Sequence, residues 1–400
     1  MQREVQAYLI LAHCLLFLVL PIASFILAIC TFRSRVSQCF FIAYAFYFGS
    51  YVGACMDLEQ HYYTLLTFAK QPVNIAWTAV DWIGKEPWHK LFKLSIVYIS
   101  TSREFFSGCA AAVYATFFLF FINQYRRFYL QPMGKMQMLV FLTMALTVEF
   151  YWYYGLRYWN GGFFFCAFYS KFILSEKKKY LVLSSFSLLF HFGLLNIVAA
   201  AFINYLLGNR MRIKAALAVC GIFLRGFSNQ IINWMAGLPI ISAYTRGDYS
   251  ENENLAEGAR TLMVRNGEAN LVYQSRWDIL FGVACILLYT LWRKNRNLFK
   301  NNYPQFFGFL LILFFITNLS YVEIVLYQRT YKLLILMTYS YLFILLRINE
   351  NKWLSRSSIC IALFTPVVLY ALATQVVEQR DTLMDWGLWF SNIYTRLIQG

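Results

Sequence analysis

Charged residues are scarce in this sequence, and close groups of metal-ligating residues are absent from it. Asp, Glu, Lys and Arg together make up 14% of 400 residues, and there are four histidines. The nine cysteines are scattered through or beside apolar segments, with no C-x-x-C motif and no closely spaced His/Cys set. These absences argue against a disulfide framework and a metal site, so we expect neither a metal nor another cofactor.

A long polar region that would fold as a separate soluble domain is also missing. Hydrophobic residues make up 60% of the chain, and apolar runs of about 17–25 residues, typical of bilayer-crossing helices, recur along it. The sequence therefore predicts an all-α, polytopic integral membrane protein, one domain with about 11 membrane segments. The first segment is too long for the core of a secretory signal peptide, and no A-x-A-like site follows it. The segments are 7–30, 38–56, 104–122, 137–156, 158–174, 181–207, 215–238, 277–292, 304–321, 329–346 and 358–377.

The net charge of +16 is unevenly distributed among the loops. The positive-inside rule places strongly basic loops in the cytoplasm and loops of mixed charge outside. The excess charge is then explained by topology and by attraction to membrane lipid, so we expect no nucleic-acid partner. The basic loops are 33–35, 126–136, 175–180, 209–214, 293–301 and 347–357, and the mixed regions are 57–103, 244–276 and 378–400.

Two of the mixed loops have features of their own. In 57–103, the stretch "LFKLSIVYIS" at 91–100 is too short to span and predicts an interfacial helix. The loop 244–276 contains "LAEGARTLMV" at 255–264, which suits a short helix. We interpret this loop either as a lid over a site or as a plain connector.

Basic loops precede and follow the segment 181–207. A single crossing would put one of these two loops on the outer side, against the positive-inside rule. A re-entrant hairpin with its tip at His191 would keep both loops on one side and carry His191 toward the outer face. The alternative is one ordinary helix and a local exception to the positive-inside rule.

Arginines at membrane depth are costly and mark candidate functional sites. Arg157 lies where the predicted topology returns to the outer face, before Trp159, Asn160 and a Gly161–Gly162 pair that permits a turn. A guanidinium there either grips phosphate bidentately or anchors the chain at the interface with its aromatic neighbours. Arg225, in "FLRGFSNQIINW", lies either on a polar face lining a cavity or in a buried structural network.

The order of several short motifs resembles the EpsG-like branch of Wzy-type polymerases, which join lipid-linked oligosaccharide repeat units into bacterial surface polysaccharide. The resemblance covers about 57 to 345, and His-Phe-Gly at 191–193 departs from the His-Phe-Ser that it leads us to expect. The motifs are "DLEQHYY" at 57–63, "GKEPWHKLF" at 84–92, "YYGLRYWNGGFFF" at 153–165, "LLFHFGLL" at 188–195, "YTRGDY" at 244–249 and "YQRTYKLLILMTYSYLF" at 327–343.

The resemblance implies a GT-C-like glycosyltransferase architecture in the bacterial cytoplasmic (inner) membrane, with the active site facing the exterior. Undecaprenyl-diphosphate-linked oligosaccharide would be both donor and acceptor, and a chain-length regulator protein is a further candidate partner. Arg157 and Arg329 would stabilise the leaving diphosphate without a metal. The base would be Glu86 as first choice, with Asp57 and His191 as alternatives.

The remaining candidates would bind the substrate. Four aromatic residues would serve as surfaces on which sugar rings stack, and their alternative role is anchoring in the membrane interface. These are Tyr62, Tyr63, Trp88 and Trp159. Competing functions are a flippase for the same lipid-linked sugar, which should show internal repeats that are not evident here, and an O-antigen-ligase-like transferase. The substrate-binding candidates are Tyr62, Tyr63, Trp88, Trp159, Asn160, Arg225, Arg246 and Arg329.

Overall fold

The computed structural model describes residues 2–53, 57–72, 87–148, 150–227, 230, 281–282, 303–321 and 324–348. This part of the chain contains α-helices and short 3₁₀ turns but no β-strand, which confirms the predicted all-α class for the described residues. The α-helices are α1 Gln2–Val19, α2 Pro21–Cys30, α3 Arg35–Val52, α4 Asp57–Ala69, α5 Pro87–Val97, α6 Arg103–Ile122, α7 Arg126–Tyr129, α8 Lys135–Leu146, α9 Leu156–Ser175, α10 Lys179–Ser185, α11 Leu195–Leu207, α12 Met211–Leu224, α13 Tyr303–Leu319 and α14 Ile324–Ile348.

Two helical stretches of the described chain are long and apolar enough to cross a membrane, Arg103–Tyr129 and Leu326–Arg347. The pair α3 and α4, bent by 87°, would be a third if it forms one span. Other apolar segments are interrupted: a break before Pro21 divides the predicted segment 7–30, and α8 ends at Leu146 before a 3₁₀ turn over Phe150–Gly155. The count of about 11 segments and the GT-C-like architecture stay predictions.

Three of the basic loops, 33–35, 126–136 and the described start of 347–357, lie together at one end of the helical bundle, which we call the basic end. Arg126 Nη2 donates to the Arg33 carbonyl at 3.3 Å, and Arg347 Nη1 donates to the Pro132 carbonyl at 2.8 Å. The end of α9 reaches the same place, because Tyr125 and Ser170 share a hydroxyl hydrogen bond of 2.7 Å. The predicted grouping of these loops is therefore seen in the fold, and the compartment that they face stays a prediction.

The opposite end, which we call the mixed end, gathers the described residues between 53 and 103 with the start of α9. Tyr153 donates its hydroxyl to the Gly53 carbonyl at 3.4 Å. An exposed ion pair joins Arg103 Nη2 to Glu59 Oε1 at 2.8 Å. Helix α5 covers most of the predicted stretch 91–100 and begins earlier than expected, whereas α4 was not expected from the sequence. That α5 lies at the membrane interface stays a prediction.

The segment 181–207 folds back on itself at the residue predicted as the tip. Its helices α10 and α11 are separated by 3₁₀ turns and by His191, whose backbone is extended at φ −158° and ψ 125°. Lys178, before α10, lies 5.9 Å from the ring centroid of Tyr205, near the end of α11. A straight helix would put these two residues about 40 Å apart, so the described chain forms a hairpin.

The Gly161–Gly162 pair lies inside α9, and the expectation that it permits a turn was wrong. An added Cβ at Gly161 would lie 2.5 Å from Leu194 Cδ1 and 2.7 Å from Phe190 Cβ, both in the hairpin. An added Cβ at Gly162 would lie 3.1 Å from Leu333 of α14. The missing side chains let α9 pack closely between the hairpin and α14.

Candidate functional site

Arg157, the second residue of α9, meets the start of α4 at the mixed end. Its Nη2 lies 3.9 Å from Asp57 Oδ1, and the two side chains are 22% and 34% exposed. His61, one turn along α4, has its Nε2 3.9 Å from Asp57 Oδ2. Both distances exceed the 2.7–2.9 Å typical of a charge-assisted hydrogen bond. Asp57 is thus placed between a permanent cation and an imidazole that it contacts loosely.

Helix α5 adds basic groups to the same region. The rings of His61 and His89 lie with their centroids 5.4 Å apart. Lys93, one turn after His89, is 1% exposed. Burial, followed by the positive charge of Arg157, lowers the pKa of Lys93 from 10.5 to about 7, although the charge of Asp57 acts in the opposite direction. Burial also lowers the pKa of His61, so among these described groups Arg157 supplies the permanent positive charge that favours an anionic ligand.

Tyr158 joins the start of α9 to the hairpin tip and to α14. The ring of His191 packs edge-on against it with centroids 5.5 Å apart. The guanidinium of Arg329 lies over the same ring, 5.4 Å from its centroid. A hydroxyl hydrogen bond of 3.3 Å between Tyr158 and Thr330 fixes the ring. Residues from three of the sequence motifs therefore meet at one tyrosine.

Arg225 follows the end of α12 and holds three helix ends together. Its Nε donates to Asn318 Oδ1, and its Nη2 donates to the Tyr327 hydroxyl at 3.5 Å. The guanidinium also lies 5.2 Å from the ring centroid of Tyr321. These contacts agree with the structural-network interpretation of Arg225. The cavity-lining interpretation rested on Asn229, Gln230 and Asn233, of which Asn229 and Asn233 lie outside the described residues.

Tyr62 and Tyr63 occupy different environments on α4. The Tyr62 hydroxyl donates to the Thr101 carbonyl at 3.1 Å, which ties α4 to the start of α6. Tyr63 is 61% exposed, and the two rings are 6.1 Å apart. Of the pair, Tyr63 is the one whose ring is open to a ligand or to the membrane interface.

Trp88 and Trp159 are more enclosed than a sugar-stacking surface requires. The Trp88 ring packs 4.8 Å from Phe190 and 5.5 Å, edge-on, from Phe117. Trp159 is completely buried, so stacking on a sugar would need its ring to leave the core. Asn160 is completely buried as well, and within the described chain neither of its amide atoms has a hydrogen-bond partner. Such a group is costly unless water or a ligand satisfies it.

Two predicted site residues, Glu86 and Arg246, lie outside the described residues, as does the loop 244–276. Among the residues that the structure describes, no group of three or more His, Cys, Asp or Glu side chains is placed to hold a metal ion. The assignments of individual roles therefore stay predictions.

The sequence interpretation missed Lys93, His61 and His89 as members of this region. The spacing of Asp57 and His61, four residues apart, would have signalled a shared face had α4 been expected to be helical. Lys93 gave no such signal, because its burial depends on packing against α4 and α9.

We compared the chain with protein-family models, with curated proteins and with solved structures, and none of the three comparisons finds a match.

Proposed function

We propose that this protein is a polymerase that joins undecaprenyl-diphosphate-linked oligosaccharide repeat units into surface polysaccharide at the outer face of the bacterial inner membrane. The observation that carries the proposal is the meeting of distant motifs at the mixed end: Arg157 lies beside Asp57, and its neighbour Tyr158 contacts His191 and Arg329. The largely basic set that results suits a diphosphate, and the aromatic neighbours suit sugar and lipid.

The reaction needs a base and cationic stabilisation of a leaving group. A hydroxyl of the acceptor attacks the anomeric carbon of the donor, its proton passes to the base, and the bond from that carbon to the diphosphate oxygen breaks. Undecaprenyl diphosphate leaves through an oxocarbenium-like transition state. Arg157 and Arg329 would meet the charge that develops on the diphosphate, as fixed cations that need no reorganisation.

The contacts of Asp57 favour a role in orienting Arg157 over the role of the base. It lies between Arg157 and His61, where a carboxylate can orient the guanidinium toward the diphosphate. Glu86, which immediately precedes the first residue of α5 in the sequence, stays our first choice for the base. Glu86→Gln should then lower polymerisation by about 10²–10⁴-fold while lipid-linked substrate still binds. Chains of normal length from this variant would exclude Glu86.

Arg157 provides a sharper test of the site. Arg157→Lys keeps a positive charge but loses the planar fork, so we expect in-vitro polymerisation to fall by about 10²–10³-fold. Arg103→Lys is the matched control, because Arg103 lies at the same end in an exposed pair with Glu59. Near-normal turnover by the purified Arg157→Lys protein would mean that Arg157 anchors the chain at the interface and does not bind substrate.

The competing functions differ in the glycans that they leave behind. Deletion of a polymerase leaves single repeat units on the cell surface, and a gel of glycan lengths shows this directly. Deletion of a flippase leaves almost no repeat units outside, whereas deletion of a ligase leaves long chains that are not transferred to their acceptor. Either of the last two patterns would refute the polymerase proposal.

A further inference from the structure

His191 sits at the tip of the hairpin in a position that fixes its ring. It is the N-cap of the 3₁₀ turn Phe192–Leu194, and the backbone N–H of Gly193 donates to its Nδ1 at 2.9 Å. The ring also packs against Tyr158, with an angle of 75° between the two ring planes. The imidazole is therefore held both by its own turn and by α9.

The hydrogen bond determines where the ring proton lies. A backbone N–H can only donate, so Nδ1 must present its lone pair. In the neutral imidazole the proton is then on Nε2, and this nitrogen is a donor. A proton on Nδ1 would place two donors against each other and break the cap of the turn.

Gly193 makes this arrangement sterically feasible. A Cβ added at position 193 would lie 2.9 Å from Nδ1 and 3.0 Å from Cε1 of His191, and 3.4 Å from Leu326 Cδ1. The first two distances are too short for undisturbed contacts, so a side chain here would push the ring off the turn. The glycine found where the family resemblance leads us to expect serine is thus coupled to the orientation of His191.

We propose that His191 acts through its Nε2–H as a hydrogen-bond donor to an anionic oxygen of the diphosphate and does not act as the base, with Gly193 as the positioning residue that fixes its tautomer. The second group that points to an anion is Arg329, because its guanidinium and the imidazole pack on the same Tyr158 ring. The choice of the diphosphate rests on the proposed function, whereas the assignment of the donor nitrogen rests on the hairpin alone.

The tautomer can be measured without any assay of activity. The chain has four histidines, so ¹⁵N-histidine NMR of the purified protein is tractable, with His191→Gln identifying the His191 signals. We expect Nδ1 unprotonated and Nε2 protonated, and we expect inorganic pyrophosphate to shift the Nε2–H resonance. Gly193→Ser should abolish the Nδ1 hydrogen bond and reduce the pyrophosphate response. Gly134→Ala, where an added Cβ meets nothing within 4 Å, is the control and should leave both unchanged.

Two substitutions of His191 separate a donor from a base. The amide of Gln places an N–H donor near the position of Nε2, whereas the shorter Asn places it near Nδ1. Neither amide can accept the proton of the acceptor hydroxyl. We expect His191→Gln to retain polymerisation within about tenfold of the wild type and His191→Asn to lose about 10²–10³-fold. Equal and severe losses in both variants would overturn the donor assignment, as would a proton on Nδ1 or the lack of any response to pyrophosphate. A protein with the expected NMR signature but no polymerisation would instead refute the proposed function and leave the donor assignment intact.

Discussion

Replacing Gly161 by alanine tests how closely the hairpin packs on α9. The new Cβ would lie 2.5 Å from Leu194 Cδ1, 2.7 Å from Phe190 Cβ and 3.2 Å from the Ser187 carbonyl oxygen, and Phe190 Cβ and the carbonyl cannot swing away as a side-chain end can. Overpacking of this kind typically costs about 1–3 kcal/mol. The higher helix propensity of alanine relative to glycine offsets roughly 1 kcal/mol of that cost. We therefore expect Gly161→Ala to lower the free energy of unfolding by up to about 2 kcal/mol.

Gly162→Ala is the matched control, because it makes the same change one residue along the same helix. Its nearest contacts are the methyl groups of Leu333 at 3.1 and 3.3 Å, which can move by a few tenths of an ångström. We expect a change near zero or a small stabilisation. Thermal unfolding of both variants in the same detergent, followed by tryptophan fluorescence, makes the comparison. If Gly161→Ala is as stable as Gly162→Ala, the hairpin does not pack on α9 as described.

Two further predictions concern charge and topology. Because the folded protein lowers the pKa of Lys93 from 10.5 to about 7, the unfolded chain binds more protons within that window, and the free energy of unfolding should rise with pH there. Lys93→Met should flatten this rise, as measured by denaturant titrations at several pH values within the window. Lys90→Met, which leaves Lys93 intact, should keep it. Equal dependence of the unfolding free energy on pH in both variants would contradict the burial of Lys93. In a variant without native cysteines, an impermeant maleimide added to intact spheroplasts should label Tyr63→Cys and not Lys178→Cys, and the reverse pattern would invert the predicted orientation.

Sequence reasoning located elements best where an apolar run stands between polar ends. The predicted segment 104–122 corresponds to α6, Arg103–Ile122, and 158–174 corresponds to α9, Leu156–Ser175. The hairpin was one of two alternatives because the charges of its flanking loops conflicted with a crossing. In each case the information lay within the segment or directly beside it.

Other features depend on packing between segments that are distant in the sequence and could not be predicted in this way. Helix α4 lies in a stretch that its charges marked as a loop, and only one of its faces is buried. The glycine pair in α9 suggested a turn, because the sequence around positions 161 and 162 does not show that the hairpin packs against this helix. The candidate site followed the same rule: its motifs were found individually, but Tyr158 was not identified as their meeting point.

The hairpin also constrains how the chain is synthesised. Its second limb, α11, has 13 residues, about 20 Å of helix, which is short of the roughly 30 Å of a bilayer core. The first limb contains only the 7 residues of α10 before its helix tightens into a 3₁₀ turn. If the hairpin lies in the membrane, neither limb is long enough to span it and be released into lipid by itself. We expect the two limbs to stay within the insertion machinery until Leu207 has emerged, and then to enter together against a completed α9, so α9 would act as the template on which the hairpin assembles.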